Sequence, residues 1–265
     1  MPLDLPPIAK TLVLAAHPDD ETIACAGLLQ RATNALVVFA VDGAPPCYRF
    51  ERRFGSLRNY SDLRFREAAA ALAAIPHCSF RRLTRQDGSW FVDQHLFLEM
   101  PQAFLSLCRI AREFSPHLIV SHAFEGGHLD HDACHVLAKR AAIVLGVQTL
   151  EFPLYWKTPH HGDRFQEFRD PRGEELSLGL SGHELEVKRR MLAEYKSQRG
   201  LTLVFQPQVE RFRPIGLSSR TNAVWSYYPF ENRRKPWKAD CFFGRVTEFE
   251  SLQTEVAFDP NKRRD

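Results

Sequence analysis

The sequence predicts an α/β fold, a mostly parallel sheet covered by helices on both faces. Three observations carry this. Thr11–Ala16, Leu36–Val41 and His117–Ala123 are apolar runs of strand length, as strands buried on both faces require. Each is followed by a stretch with helical spacing, and strand–helix alternation builds βαβ units. No repeat or low-complexity tract interrupts the pattern.

In order, strand Thr11–Ala16 leads through a loop at His17–Asp20 into a helix reaching about Arg31. Strand Leu36–Val41 closes on an Asp42-Gly43 turn signal. "SDLRFREAAAALAAI" reads as a helix with Ser61 as N-cap and Pro76 as its stop. "CSFRRL" is a short strand. Apolar residues at Leu96, Met100, Phe104, Leu107, Ile110, Ala111 and Phe114 mark a helix. Strand His117–Ala123 precedes a helix over Asp130–Leu145, and "VQTLEFPLYW" reads as one further strand. Lys157–Leu180 is polar and loop-rich, "SGHELEVKRRMLAEYKSQ" is a charged amphipathic helix, and the pattern after Leu201 is irregular. Residues 1–200 are therefore expected to form one α/β domain, with 201–265 a C-terminal extension packed on it.

Composition narrows the function classes. The 265 residues are 44% hydrophobic and 25% charged, as in an ordinary globular chain. A formal charge of +3 from 35 basic and 32 acidic residues gives no electrostatic case for nucleic acid as a partner. No apolar run approaches the roughly 18 to 20 residues that span a bilayer. The N-terminus "MPLDLPPIAK" lacks signal-peptide features, so the expected location is cytoplasmic. Six scattered cysteines without a CxxC pair argue against a disulfide framework.

Chemistry concentrates in two loops. Open α/β sheets bind ligands at the carboxyl ends of their strands, and "HPDDE" and "HLDHDACH" fall there. Imidazoles plus a carboxylate suit zinc or a similar divalent ion, with a fourth position open. His17, Asp20 and His131 provide such a set. Asp19 could then accept a proton from water activated by the metal. His128 could steady an oxyanion in its charged form and protonate a leaving amine. Asp130 could hold that imidazole in one tautomer. Either motif alone is more often a surface turn or a capped helix start; both together, each after a buried strand, form a strong signal.

"AAHPDDE" and "HLDH" resemble the two signature motifs of the PIG-L/LmbE-like family of metal-dependent N-deacetylases. "VDG" at Val41–Gly43, "RFREAAAALAAI" with Arg64 and Glu67, and "KRRMLAEYKSQ" with Ser197 and Gln198 are similar to further family segments. The resemblance implies a Rossmann-like fold, metal ligands His17, Asp20 and His131, base Asp19, and His128 assisted by Asp130. It departs from the family in two places. Leu129 stands where proline is common, and Gly126 where some members carry a tyrosine that donates to the oxyanion. No GxGxxG is present, so no dinucleotide is expected.

The expectation is a zinc-dependent hydrolase that removes an acyl group, chiefly acetyl, from an amino sugar such as an N-acetylglucosamine derivative. Iron(II) or another divalent metal is left open, as is a homo-oligomer. Alternatives are deacylation of a thiol conjugate or acylated natural product at the same centre, or a non-catalytic metal-binding module. Asp42 is a turn residue or lines the pocket. Arg64 and Glu67 form either a structural ion pair or contacts to a substrate hydroxyl. His135, one turn after His131, reads as a hydrogen-bonded helix histidine, and His160 and His161 as loop residues. Trp90, Trp156, Trp225 and Tyr228 are core aromatics or sugar-stacking faces.

Overall fold

The structure, a computed structural model, describes residues 10–158, 162–169, 174–205, 208–216 and 237–251. In chain order the strands are β1 (Thr11–Ala15), β2 (Ala35–Phe39), β3 (Cys78–Arg82), β4 (Leu118–His122), β5 (Gln148–Phe152), β6 (Tyr155–Thr158), β7 (Gly162–Phe165), β8 (Leu176–Gly179) and β9 (Val209–Pro214). The helices are α1 (Asp20–Arg31), α2 (Tyr48–Phe54), α3 (Leu57–Leu72), α4 (Met100–Phe114), α5 (Leu129–Leu145), α6 (Gly182–Glu194), α7 (Arg199–Thr202) and α8 (Trp237–Ser251). Single 3₁₀ turns cover Leu96–Glu99 and Lys196–Gln198.

Seven strands form one sheet in the order β3-β2-β1-β4-β5-β9-β8. The first five run parallel, while β9 and β8 add an antiparallel edge. Alternation along the central strands sends side chains to two separate cores. Leu12, Leu14, Leu36, Val38 and Ile119 face Leu107, Cys134 and Phe242 of α4, α5 and α8. Val13, Ala15, Val37, Phe39 and Val120 face Ile23, Leu28, Phe65 and Met191 of α1, α3 and α6. Burying each large aliphatic side chain contributes about 1.5–3 kcal/mol. Both cores lock β1 and β4 side by side, so the loops at their carboxyl ends meet. No helix among the described residues is long and apolar enough to cross a membrane.

Several local expectations change. The helix expected from Ser61 begins at Leu57, because Ser56 is the cap and its Oγ accepts the Asn59 N–H at 3.0 Å. Ser61 Oγ instead donates to the Asp42 carbonyl at 2.7 Å. "VQTLEFPLYW" is two strands separated at Pro153-Leu154, and the 157–180 segment contributes β7 and β8. His160, His161, Trp225 and Tyr228 lie outside the described residues.

β9 brings a buried ion pair with it. Lys188 of α6 is 1% exposed and donates to Glu210 of β9 at 2.8 Å, and Glu210 is 1% exposed. Glu210 also accepts N–H bonds from Gly27 and Leu28 of α1, at 2.8 and 3.0 Å. Removing one partner of such a pair strands the other charge. Lys188→Met is therefore expected to lower unfolding free energy by roughly 3–5 kcal/mol, read by urea denaturation. A loss below about 1 kcal/mol, the worth of a surface pair, would contradict this assignment.

Candidate metal centre

The first loop is fixed by its own backbone. The His17 N–H donates to Asp20 Oδ2 at 2.8 Å, and the Asp19 carbonyl accepts from Thr22 and Ile23 at the start of α1. Asp19 itself has φ 128°, a conformation rare outside glycine. Strain of that kind persists only where the surroundings over-determine it, and it clusters at functional sites. The second loop runs from β4 to α5. Asp132 accepts the N–H groups of Glu125 and Gly126, and Glu125 accepts those of Leu154 and Tyr155. Gly127 must lack a side chain, since a Cβ there would lie 2.1 Å from the Tyr155 carbonyl oxygen. His128 caps α5, its Nδ1 accepting the Asp130 N–H at 3.2 Å. In the neutral ring the proton then sits on Nε2.

These loops bring three donor atoms together. His17 Nδ1 lies 3.3 Å from Asp20 Oδ2 and 3.3 Å from His131 Nε2, and the third edge, His131 Nε2 to Asp20 Oδ2, is 3.6 Å. Donors at about 2.0–2.1 Å from a tetrahedral zinc are separated by roughly 3.3–3.4 Å. The triangle therefore has the dimensions of one face of a zinc tetrahedron. All three residues are buried. Burial works to raise the Asp20 carboxyl, but His131 and His122 outweigh it and hold it well below the usual range. Burial, then His122, pushes His131 well below the usual imidazole range, leaving a lone pair to offer. For His17, burial opposes the charged form, yet Asp93, Asp130 and Asp20 outweigh it and raise the imidazole well above its ordinary value. A pocket that turns a buried histidine into a cation is one that calls for positive charge. The residues fit a divalent metal.

A family model described as PIG-L, GlcNAc-PI de-N-acetylase, matches residues 12–142, a span containing both loops. This stretch of the chain belongs to the PIG-L family. The protein is accordingly a hydrolase of the metal-dependent N-deacetylase class. Solved structures similar to it include a triple mutant of the deacetylase Orf2 of teicoplanin biosynthesis, at 20% identity and TM-score 0.61. That match covers 77% of this chain and 97% of the other. The A40926 pseudoaglycone deacetylase Dbv21 matches at 19% identity and TM-score 0.60, over 79% and 98% of the two chains. N,N'-diacetylchitobiose deacetylase from Pyrococcus horikoshii matches at 13% identity and TM-score 0.53, over 84% and 88%. At these identities the likeness shows a shared fold. No curated protein matches the sequence.

Around the triangle, the PIG-L domain collects Asp19, His128 and Asp130 as well. Asp19 Oδ2 lies 3.1 Å from Arg64 Nη2. Burial pushes the Asp19 carboxyl up to about 8, against the pull of Arg64. Arg64 also donates to the Gly43 carbonyl at 2.8 Å and the Pro18 carbonyl at 2.6 Å, tying the first loop to the end of β2. Burial, then His17, lowers the His128 imidazole, which favours a neutral donor over the charged form expected from sequence.

Some expected partnerships are replaced. Arg64 pairs with Asp19, not with Glu67. Both Glu67 oxygens accept from Ser197, at 2.9 Å from its N–H and 2.7 Å from its hydroxyl, so Glu67 joins α3 to the turn after α6. Asp130 meets His128 through its main-chain N–H; its carboxylate accepts from Gln94 and Leu96 N–H groups at 2.6 and 3.2 Å. Asp42 accepts from the Ala44 and Asp93 N–H groups at 3.1 and 3.0 Å, one layer outside the triangle. His135 is directed to the His122 carbonyl and Glu151, away from the centre.

Two residues at the centre carried no motif to reveal their place. His122 stacks on His131 with ring centroids 4.1 Å apart, and its Nε2 accepts the Ala16 N–H at 3.0 Å. Its position at a strand end was the one sequence signal. Asp93, in the loop between β3 and α4, is 3% exposed and lies 3.4 Å from His17 Nε2.

Proposed function

We propose that the protein is a cytoplasmic enzyme that hydrolyses an N-acyl, chiefly N-acetyl, group from an amino sugar, using zinc held by His17, Asp20 and His131. The observation that carries this reading is the zinc-sized donor triangle with the Asp19 carboxyl in the same loop. Zinc bound there supplies Lewis acidity toward water and the amide carbonyl. Asp19 accepts a proton from the water whose oxygen bonds to the carbonyl carbon. Added positive charge favours its carboxylate form over the neutral acid that burial alone prefers. His128, with its proton on Nε2 and Nδ1 held by the Asp130 N–H, donates a hydrogen bond to the carbonyl oxygen as it gains negative charge, and the proton that Asp19 took from water passes to the nitrogen as the C–N bond breaks.

Asp42 supports the sugar part of the reading. It lines a pocket of about 340 Å³ together with Leu57, Arg58, Ser61, Gly88, Ser89 and Trp90. A carboxyl, two hydroxyls, a guanidinium and an indole suit a hydroxyl-rich ligand. The Trp90 face is partly covered, as the Arg58 and Arg82 guanidinium carbons lie 4.1 and 4.0 Å from its ring centre. The family's description and the chitobiose deacetylase favour an acetylated amino sugar. The deacetylases of teicoplanin biosynthesis and of the A40926 pseudoaglycone favour an acylated natural product at the same centre. Amine release from N-acetylglucosamine derivatives, set against acylated natural products such as teicoplanin and against thiol conjugates, separates these. Release from none, in zinc-loaded protein, would end the deacylase reading.

Asp42 also gives a pH prediction. Burial raises its carboxyl to about 6 from an ordinary 3.8, despite its two N–H donors. The folded protein thus keeps a proton that the unfolded chain releases, and this residue's contribution to stability falls as pH rises from about 4 to about 6. Asp42→Asn removes that dependence. Relative to wild type, its melting temperature is expected to rise across this window and level off above it. A flat difference would contradict the shift.

A further inference from the structure

His17 must present Nδ1 to Asp20 and His131, so the opposite edge of its ring has to be held too. Otherwise a half-turn of the ring would replace that nitrogen by carbon. Two carboxylates meet this edge, Asp93 Oδ1 and Asp130 Oδ2, each 3.4 Å from Nε2. They are not equivalent. Both Asp130 oxygens already accept main-chain N–H groups, from Gln94 and Leu96, which makes Asp130 the anchor of that loop. Among the described residues the Asp93 carboxylate makes its one ion-pair contact with the His17 imidazole, at 3.4 Å from Nε2. It is 3% exposed, and an acid so buried needs a partner.

The placement of Asp93 is built in from several sides. Its N–H is held by Asp42 Oδ1 at 3.0 Å, and the Phe91 carbonyl accepts the Asp42 N–H at 2.8 Å. Gln94 follows in a left-handed conformation, φ 65°, with its N–H on Asp130. This stretch is therefore pinned to the end of β2 on one side and the start of α5 on the other.

We propose that Asp93 is a positioning residue whose carboxylate takes the Nε2–H of His17 and thereby fixes Nδ1 as the metal-facing atom. It acts through His17 and touches no reacting atom. The inference rests on reading His17 as a ligand and is indifferent to the substrate. Outer carboxylates of this kind orient a ligating imidazole and raise its basicity, and losing one weakens metal binding about 10–100-fold.

The test uses the full-length protein and zinc itself. Competition against a chromophoric chelator is expected to show Asp93→Asn binding zinc roughly 10–100-fold more weakly, with the melting temperature of the metal-free protein unchanged. Asp130→Asn, which frees the 94–96 backbone, is expected to lower that melting temperature. Should Asp93→Asn fail to fold, ¹⁵N spectra of zinc-loaded wild type decide, with His17 expected as the Nε2–H tautomer. Wild-type zinc affinity in Asp93→Asn, or His17 protonated at Nδ1, would overturn the proposal. Absence of amine release from every acylated substrate would instead overturn the deacylase reading and leave these two measurements standing.

Discussion

Exchanging Asp19 for Asn is expected to lower kcat by roughly 10²–10⁴-fold, the usual contribution of a positioned general base, while zinc stays bound. Asn is nearly isosteric and can still meet Arg64, so the φ 128° backbone and the loop it shapes are preserved. What disappears is the capacity to accept a proton. The environment of Asp19 suits that task, since burial, only partly offset by the Arg64 guanidinium, lifts the carboxyl to about 8. Such a group gains and loses its proton near neutral pH once a cation is beside it. The loss belongs in kcat, because the interaction with the moving proton exists only as the reaction proceeds. Steady-state kinetics with zinc content measured on the same sample checks this. Near-normal kcat in Asp19→Asn would mean that another group takes the proton.

Replacing His131 by Ala is expected to have the second large effect. It removes one corner of the donor triangle, leaving His17 and Asp20 on the same loop. Zinc affinity should fall by more than the roughly 100-fold ceiling typical of outer contacts, and activity should be lost at ordinary zinc concentrations. Deleting a buried ring that stacks on His122 also opens a cavity, which for aromatic side chains costs about 3–5 kcal/mol. The melting temperature of the metal-free variant must therefore be measured beside zinc affinity by chelator competition. A folded His131→Ala protein with wild-type zinc affinity would show that His131 is not a ligand.

The sheet and the two loops were legible because their signals are local. Apolar runs such as Thr11–Ala15 and Leu118–His122 are readable from a handful of residues, and so is the loop that follows each. Partnership was not legible. Arg64 stands three positions from Glu67 and reads as its mate, yet the fold hands Arg64 to Asp19 and Glu67 to Ser197. Asp93 lies in a loop with no periodicity, and only the meeting of β2, α5 and the first loop gives it a role. The same holds for β9, whose short run after residue 200 shows no strong alternation. Its place in the sheet is tied to Glu210 meeting Lys188 and α1. The helix starts about one turn before Ser61, because Ser56 and Ser61 are equally good caps in sequence and the Asp42 carbonyl takes up Ser61.

Anomalous diffraction at the zinc edge, from crystals grown with one equivalent of zinc, tests the central claim most directly. The expected result is one strong peak about 2.0–2.2 Å from His17 Nδ1, Asp20 Oδ2 and His131 Nε2, with Asp19 adjacent and unbound. A peak confined to other side chains, or none with the three groups turned apart, would contradict it.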